Sequence, residues 1–133
     1  MVARAGGGSG AGPQAFAIPC GRARRVSGLW LEGAGGVLNL APAVLPFRSR
    51  LVAIGLATAS PATWTCEVYR NAYVRAGGTP LVGNALAVVS VTAADSGSAT
   101  MSVDLEADDS VGVYLRGSMV DRPQVILYFK RRS

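Results

Sequence analysis

The segment ATMSVDLEA (residues 99–107) alternates strictly between apolar and polar side chains. Its apolar members are Met101, Val103 and Leu105, and a polar residue follows each of the first two. Successive side chains of a β-strand point to opposite faces, whereas a helix would need a period of 3.6 residues. The segment therefore predicts a strand with one face on a core and the other in solvent.

The rest of the chain repeats this theme in short apolar runs separated by turns rich in Gly, Pro or Asp. The runs cover 25–31, 36–46, 48–58, 64–76, 85–92, 110–117 and 123–132. No stretch combines helical periodicity with helix caps. Short strands at such spacing are typical of sandwiches and barrels. We predict an all-β fold: an antiparallel β-sandwich or jelly roll of about seven or eight strands.

Two of these runs allow faces to be assigned. In 48–58, strict alternation would place Arg50, Val52, Ile54 and Leu56 on one face. In 64–76, the same reasoning places Trp64, Cys66 and Val68 on one face, and Thr65 and Glu67 on the other. We expect the apolar set of the second run to face the core.

The first 25 residues differ in composition from everything that follows. Residues 5–12 are almost all Gly, Ala and Ser, which gives a chain of high conformational entropy. We predict an extended arm over 1–25 and a β-sandwich domain over 26–133. Residues 13–25 are expected to make the contacts of the arm and to become ordered only against a neighbouring subunit. The predicted partner-binding residues are Phe16, Ile18, Arg22, Arg24 and Arg25.

The charge is strongly polarised along the chain, whose formal net charge is +5. Residues 1–50 contain six arginines and one acid, and residues 92–121 contain six acids and one arginine. Such segments can pair between neighbouring copies or within one chain, and the sequence leaves both alternatives open. The candidates for charge contacts between subunits are Asp104, Glu106, Asp108, Asp109, Arg131 and Arg132.

The composition argues against an enzyme. The chain has no histidine, which removes Ser–His and Cys–His pairs and the commonest metal ligand. The glycine-rich lead has no strand before it and no helix pattern after it, so it does not predict a phosphate-binding loop. The segment DLEADDS (104–110) reads as an acidic turn rather than a cation site. We predict no catalytic residue, no metal and no cofactor.

Cysteine content and hydropathy bear on where the protein works. Cys20 and Cys66 are too few for a disulfide framework, so we expect free thiols, with Cys66 in the core. No run approaches the roughly 18 apolar residues of a membrane helix, and the lead has no apolar signal region. We expect synthesis in the cytoplasm and no membrane partner.

The segment SATMSVDLEADDSVGVYLRGSMVDRPQVILYFKRR (98–132) carries a resemblance. An alternating strand ends in an acidic turn, a second alternating strand follows (Val111–Leu115), and an apolar strand closes the chain (Val125–Phe129). This resembles the closing strands of small β-sandwich domains of bacteriophage virions, namely head-decoration (cement) proteins and fibre heads, and distantly the C1q/TNF-like jelly roll. The match covers about residues 47–132, and Asp108-Asp109 stands where such domains often have Gly-Asp.

The resemblance implies a non-enzymatic structural virion protein that binds the outer surface of a phage capsid and stabilises it. Its partners would then be the major capsid protein and further copies of itself, as a trimer or dimer, and its location the surface of the virion. The alternative is a receptor-binding or fibre module that contacts the host surface. A lesser alternative is a basic nucleic-acid-binding protein; nucleic acid is not the expected partner, because the aromatics near the basic segments are expected to face the core.

Overall fold

The computed structural model of the protein describes residues 15–33, 43–70 and 79–132. Of these residues, 72 % lie in strands and none in an α-helix, and the predicted all-β fold is confirmed. One short 3-10 turn, Val82–Asn84, interrupts the pattern. The strands are β1 (Ala15–Gly21), β2 (Arg25–Val26), β3 (Leu29–Trp30), β4 (Glu32–Gly33), β5 (Ala43–Val44), β6 (Ser49–Arg70), β7 (Ala87–Leu105), β8 (Ser110–Arg116), β9 (Val120–Asp121) and β10 (Gln124–Arg131).

The long antiparallel pair of β6 and β7 organises the main sheet. Along its other edge, β6 is bonded to β8 over residues 65–70 and to β10 over residues 49–57. The strand order is β3-β8-β6-β10-β1-β4; β7 pairs with β6 and β5 with β8. This sheet curls, and β2 and β9 form a separate antiparallel pair. We refer to residues 49–57 and 96–105 as the near half of the β6/β7 pair, and to residues 64–70 and 87–91 as its far half.

The inner face of the curled sheet is the main core. Leu51, Ile54, Leu105, Leu115 and Val125 are all completely buried there. Val26 and Val120 of the small β2/β9 sheet belong to the same cluster. Removing this apolar surface from water is the principal driving force for the fold. The predicted faces of the 99–107 segment are confirmed, since its apolar residues pack against this core and Ser102 and Asp104 are exposed. Its predicted bounds are wrong, because the segment belongs to the longer strand β7, which begins at Ala87 and ends at Leu105.

The predicted faces of the 48–58 run are wrong at one point. Leu51, rather than Val52, is buried with Ile54 and Leu56. The register of β6 against both β7 and β10 skips Val52, which makes it the extra residue of a β-bulge. A bulge inserts one residue and so exchanges the two faces of the strand. Arg50 and Leu51 therefore follow one alternation, and Ile54 and Leu56 follow another.

The expectation for residues 13–25 is also wrong where the structure describes them. β1 pairs with β10 of its own chain through seven consecutive residues, from Ala15 opposite Lys130 to Gly21 opposite Gln124. Its inward side chains, Phe16, Ile18 and Cys20, pack on the main core. The edge of β10 supplies the backbone hydrogen-bond partners of β1. We had expected a neighbouring subunit to order this segment. The predicted arm over residues 1–14 lies outside the described residues.

Candidate functional site

Cationic side chains gather at one end of the sheet, where β6 begins and β10 ends. Cross-strand pairing sets Ala15, Lys130, Arg50 and Asp104 side by side on β1, β10, β6 and β7. Paired residues of neighbouring strands project on the same side of a sheet. We call this region the basic end. It contains Arg48, Arg50, Lys130, Arg131 and Arg132, together with the carboxylates of Asp104 and Glu106.

Ion pairs connect the strands of the basic end. Arg50 Nε lies 2.7 Å from Asp104 Oδ1. Arg132 places its terminal nitrogen 2.9 Å from Glu106 Oε2 and donates a 2.9 Å hydrogen bond to the carbonyl of Leu105. Arg48 Nε lies 3.4 Å from Glu106 Oε1. The acidic strand β7 is thus joined to β6 and to the last residues of the chain.

The ion pairs leave the basic end with more cations than anions. Five cationic side chains face two carboxylates, an excess of three positive charges. The hydrogen bond from Arg50 is the main cause of a lowered pKa at Asp104, so this carboxylate stays charged. Among the described residues, Lys130 has no ion-pair partner, and the Arg131 guanidinium lies 4.6 Å from the centre of the Phe47 ring. The surface therefore favours anionic partners.

Two neighbouring grooves give the basic end its shape. One, of about 470 Å³, is lined mainly by the five cationic residues with Val52 and Asp104. The other, of about 430 Å³, is mostly apolar and is lined by Ala15, Phe16, Ala17, Val52, Tyr128, Phe129 and Lys130. The bulge residue Val52 and Lys130 border both grooves. A bulge commonly redirects side chains beside a binding surface.

The predicted partner-binding residues of the arm mostly contact their own chain. The Phe16 ring stacks on Phe129 with 5.1 Å between ring centres, and Ile18 packs against the core. Arg22 donates to the Trp30 carbonyl at 3.0 Å.

The arginines of the same segment differ in exposure. Arg22 also lies 2.8 Å from Glu32 in an ion pair. Arg25 lies 4.0 Å from Asp121 and is more than half exposed. The Arg24 carbonyl accepts a backbone hydrogen bond from Arg122, and the residue itself is exposed. Only Arg24 and Arg25 of the predicted set therefore present an open charge to solvent.

The predicted charge contacts between subunits are largely made within the chain. Asp104, Glu106 and Arg132 pair with one another and with Arg48 and Arg50. This is the second of the two alternatives that the sequence left open. The predicted role of these residues between subunits remains a prediction, which their exposed remaining surface permits.

The two acids of the turn after β7 have different surroundings. Asp109 lies 3.4 Å from Arg70 and accepts a 2.9 Å hydrogen bond from the backbone of Glu106. Asp108 is exposed and has a φ of 68°, in the left-handed region. Aspartate tolerates this region better than most residues, which suits it to a tight turn.

The sequence analysis missed a buried ion pair on the far half of the β6/β7 pair. Glu67 is completely buried and receives two hydrogen bonds from Arg116, 2.6 Å from Nε and 2.9 Å from a terminal nitrogen. Tyr69 donates a third hydrogen bond, of 2.5 Å, to the same carboxylate. Arg116 also donates to the carbonyl of Pro80 at 2.9 Å. The carboxylate thus joins β6 to β8, and its partner Arg116 also contacts the 79–86 segment.

Aromatic rings cover this ion pair. The Trp30 ring makes edge contacts with Tyr69 and Tyr114 at 5.5 and 5.3 Å between centres. All three rings are buried. Burial raises the pKa of Tyr69 to about 12, and the hydrogen bond to Glu67 adds to the rise. Burial opposes ionisation of Glu67, but the hydrogen bonds from Arg116 and Tyr69 outweigh it and lower the pKa of the carboxyl. The sequence contains one signal of this contact. Tyr69 follows Glu67 by two residues, so both side chains lie on the same face of the strand and can contact each other.

Both cysteines are free, as expected, and both are buried: Cys66 as predicted, and Cys20 on β1, in the segment that was expected to be an arm. Burial raises the pKa of the Cys20 thiol to about 12 and that of Cys66 further still. The thiolate is the nucleophilic form of cysteine, so these side chains act as small apolar core residues. The predicted core face of Trp64, Cys66 and Val68 is confirmed. The Trp64 indole N–H has no hydrogen-bond partner, a cost that its apolar packing must outweigh.

Over the ranges that the structure describes, no three His, Cys, Asp or Glu side chains are grouped so that they could hold a metal ion. Within the same ranges, no helix is long and apolar enough to cross a membrane. No protein-family model matches the chain, and a search of curated proteins finds no significant match.

Proposed function

We propose that this chain is a non-enzymatic structural protein of a bacteriophage virion, which binds the outer surface of the capsid as a homo-oligomer and stabilises the shell. The described part of the chain offers binding chemistry rather than reactive groups. Its buried carboxylate and its two thiols are enclosed, and its open surface combines cationic and apolar side chains. The major capsid protein is the proposed partner of that surface.

One observation carries the proposal: the glycine-rich lead joins the fold at the basic end. Ala15, the first described residue, pairs with Lys130 and borders the apolar groove. The lead is therefore connected in sequence to a residue at the border of the basic end, and in this proposal both regions contact the capsid protein. Two linked contact regions raise the effective concentration of each for one partner, so weak contacts add up. Ordering a lead costs on the order of 1–2 kcal/mol per residue, which only a repeated or extensive contact offsets.

The shape of the basic end supports a macromolecular partner. Its two grooves adjoin each other and share Val52 and Lys130, so they present a continuous basic and apolar surface. Opposite charges across such a surface mainly increase the rate and specificity of association. An acidic patch on the outside of a capsid lattice would satisfy the excess of positive charge.

The test compares binding to empty capsid shells assembled without this protein. Removal of residues 1–14 leaves β1 in place, whereas removal of 1–25 would also take away part of the sheet. We expect the truncation, and separately the double variant Lys130→Glu/Arg131→Glu, to weaken adsorption at least tenfold. Arg122→Glu is the matched control, because Arg122 is an exposed cation outside the basic end. Wild-type protein that does not adsorb, or that cryo-electron microscopy locates on tail or fibre tips, would overturn the proposal.

A second candidate function is favoured by one residue. Tyr128 is 43 % exposed and lies two residues before Lys130, so it faces solvent where we expected it to face the core. An exposed aromatic ring beside cations is the arrangement on which single-stranded nucleic acids stack. Filter binding of single-stranded DNA across a salt series distinguishes the two functions. Nucleic-acid binding predicts a steep loss of affinity with salt, and capsid binding predicts little retention at any salt concentration.

A further inference from the structure

The two grooves of the basic end, which we call the basic groove and the apolar groove, meet on the outer side of β10. Lys130 and Tyr128 are two residues apart on this strand, so their side chains project from the same face. Lys130 borders both grooves, and Tyr128 lines the apolar one. Because a strand rises about 3.3 Å per residue, the two positions are about 7 Å apart. The surface therefore presents a cationic and an apolar position at a fixed spacing.

The bulge residue Val52 lies between these two positions. Cross-strand pairing sets Arg50 beside Lys130 and Ala53 beside Tyr128, and the bulge falls between the two pairs. Val52 is half-buried and lines both grooves. An apolar side chain thus separates the charged pair from the pair that contains the aromatic ring, so that each groove keeps its own chemistry.

The cation at the shared border is accessible to a carboxylate of a partner. Lys130 is exposed and pairs with no carboxylate among the described residues. Its neighbour Arg50 donates to Asp104 through Nε. The strand order places Arg50 between Lys130 and Asp104. A partner's carboxylate at Lys130 would therefore lie on the side of Arg50 that faces away from the charge of Asp104.

The charge pattern of the basic end favours a partner with isolated negative charges. Two carboxylates already pair with three of its five cations. A nucleic acid presents a continuous row of phosphates, and its binding grows with the number of phosphates that cations neutralise. The carboxylates of the basic end would repel such a row. One acidic side chain of a protein, in contrast, needs only the unpaired charge at Lys130.

The apolar groove suits a side chain of the same partner. Small residues of β1, Ala15 and Ala17, form one border, and the Tyr128 ring forms the other. An apolar side chain that fills a recess of this kind commonly supplies much of the affinity of a protein interface. The neighbouring charge contact then contributes mainly specificity and association rate.

From these features we infer that the basic end recognises an extended protein segment in which an acidic residue and a large apolar residue are two positions apart. Such a segment places these side chains on one side, about 7 Å from each other, which matches the spacing of Lys130 and Tyr128. The carboxylate contacts Lys130, and the apolar side chain enters the groove beside Tyr128. The inference deepens the proposed function and rests on it for the identity of the partner, the major capsid protein.

The test titrates the isotope-labelled full chain with synthetic peptides and follows its backbone amide signals by NMR, which detects weak binding. The probe is Gly-Ser-Glu-Thr-Leu-Ser-Gly, whose acidic and apolar residues are two positions apart. One control, Gly-Ser-Thr-Glu-Leu-Ser-Gly, has the same composition but makes these residues adjacent, and the other, Gly-Ser-Gln-Thr-Leu-Ser-Gly, lacks the charge. We expect the probe to shift the signals of Ala17, Tyr128 and Lys130. Each control should bind about threefold more weakly or worse, because it can make only one of the two linked contacts.

Two substitutions test the grooves separately. Lys130→Met removes the charge but keeps an unbranched side chain, and Ala17→Glu places a carboxylate beside the apolar groove. Each should weaken binding of the probe by about fivefold or more, since one linked contact is lost. The matched controls Arg24→Met and Ala59→Glu change exposed residues outside both grooves and should bind the probe as the wild type does. Unchanged thermal unfolding shows that each variant is folded.

Three results would overturn the inference: equal binding of the probe and the peptide with adjacent residues, no detectable binding of the probe, or displacement of the probe by an equal concentration of a thymidine oligonucleotide. Adsorption to capsid shells separates the inference from the proposed function. Adsorption that persists in Ala17→Glu, with no preference among the peptides, would overturn the inference and leave the proposed function standing. Spacing-dependent peptide binding by a protein that does not adsorb to shells would overturn the proposed function and leave the inferred recognition standing.

Discussion

The two halves of the β6/β7 pair share one inner core but differ on their outer side. In the far half, Trp30, Tyr69 and Tyr114 cover the ion pair of Glu67 and Arg116. In the near half, the corresponding side is mostly open to solvent and is uncharged except at its border, where Arg50 pairs with Asp104. The outer side of the far half is therefore covered by its own chain, whereas the described residues leave that of the near half open. The same two strands can serve both purposes because each is long enough, at 22 and 19 residues, for its two halves to have different surroundings.

The difference shows where polar groups can be buried. A carboxylate enclosed in protein is tolerated only when hydrogen bonds and an opposite charge compensate it, as three donated hydrogen bonds do for Glu67. The near half avoids this cost, because away from its border the outer side chains of its strands are uncharged. Its ion pairs lie at the border, where water still solvates them and their contribution to stability is small.

The largest expected loss of stability comes from breaking the ion pair of Glu67 and Arg116 in the far half. Glu67→Gln keeps the shape of the side chain but removes the charge that Arg116 and Tyr69 contact. We expect the free energy of unfolding to fall by about 2 kcal/mol, less than for a fully enclosed pair, because Arg116 is 39 % exposed and can turn toward water. Urea denaturation measures the change. The control, Ser98→Ala on the near half, should stay within about 0.5 kcal/mol of the wild type.

A smaller effect is expected from Phe16→Ala, which tests whether the former arm segment belongs to the fold. Phe16 is partly buried between Phe129 and Phe47. Losing an aromatic stack and part of its buried area should cost about 1–2 kcal/mol. The measurement is again urea denaturation, with the exposed Arg24→Ala as control. Equal stability of both variants would show that β1 contributes little to the near half.

The stability contributed by the far half should depend on pH, because it includes the ionised carboxylate of Glu67. The pKa of Glu67 is lowered in the fold from an ordinary value of 4.5. Its contribution to stability is therefore present above pH 4.5 and is lost as the pH falls through the lowered pKa. We expect Glu67→Gln to lose less stability than the wild type on acidification, as thermal unfolding from pH 6 to pH 2 would show. Parallel curves for the two proteins would contradict this assignment.

Unfolding at alkaline pH tests Tyr69, which donates a hydrogen bond to the same carboxylate. The pKa of Tyr69 is raised from 10 to about 12. The stability that the protonated phenol contributes is complete below pH 10 and is lost as the pH rises toward 12. Tyr69→Phe should therefore show a flatter alkaline limb than the wild type. Spectroscopic titration of the tyrosines in both proteins would identify the phenol that is missing from the high-pH transition.

The smallest effect is expected at the border of the near half. Asp104→Asn removes an exposed partner of Arg50, and solvent already screens that pair. We expect a slight loss of stability at low ionic strength that disappears in high salt, as Debye screening requires. The stability loss of Glu67→Gln should persist in the same salt series. A salt-independent loss at Asp104 would show that the border is more tightly enclosed than its exposure indicates.

Several features were predictable because they depend on local alternation. The strand ending at Leu105 and the core face of Trp64, Cys66 and Val68 follow directly from apolar residues at a period of two. The bulge at Val52 was not predictable, since no Gly or Pro marks it and only the register of the neighbouring strands reveals it. Likewise, alternation placed Glu67 on the polar face but could not show that a tryptophan 37 positions earlier covers that face.

The sequence by itself determined an all-β fold, the absence of histidine chemistry and the uneven distribution of charge, because these are properties of composition and local period. Tertiary structure alone decided which backbone edge receives β1, and it moved Phe16 and Ile18 from an expected intersubunit contact into the sheet of their own chain. It also decided that Asp104 and Glu106, at the end of β7 and just after it, pair with arginines of their own chain. Both outcomes depend on contacts between residues far apart in sequence, since strand pairing joins whichever edges the curled sheet brings together.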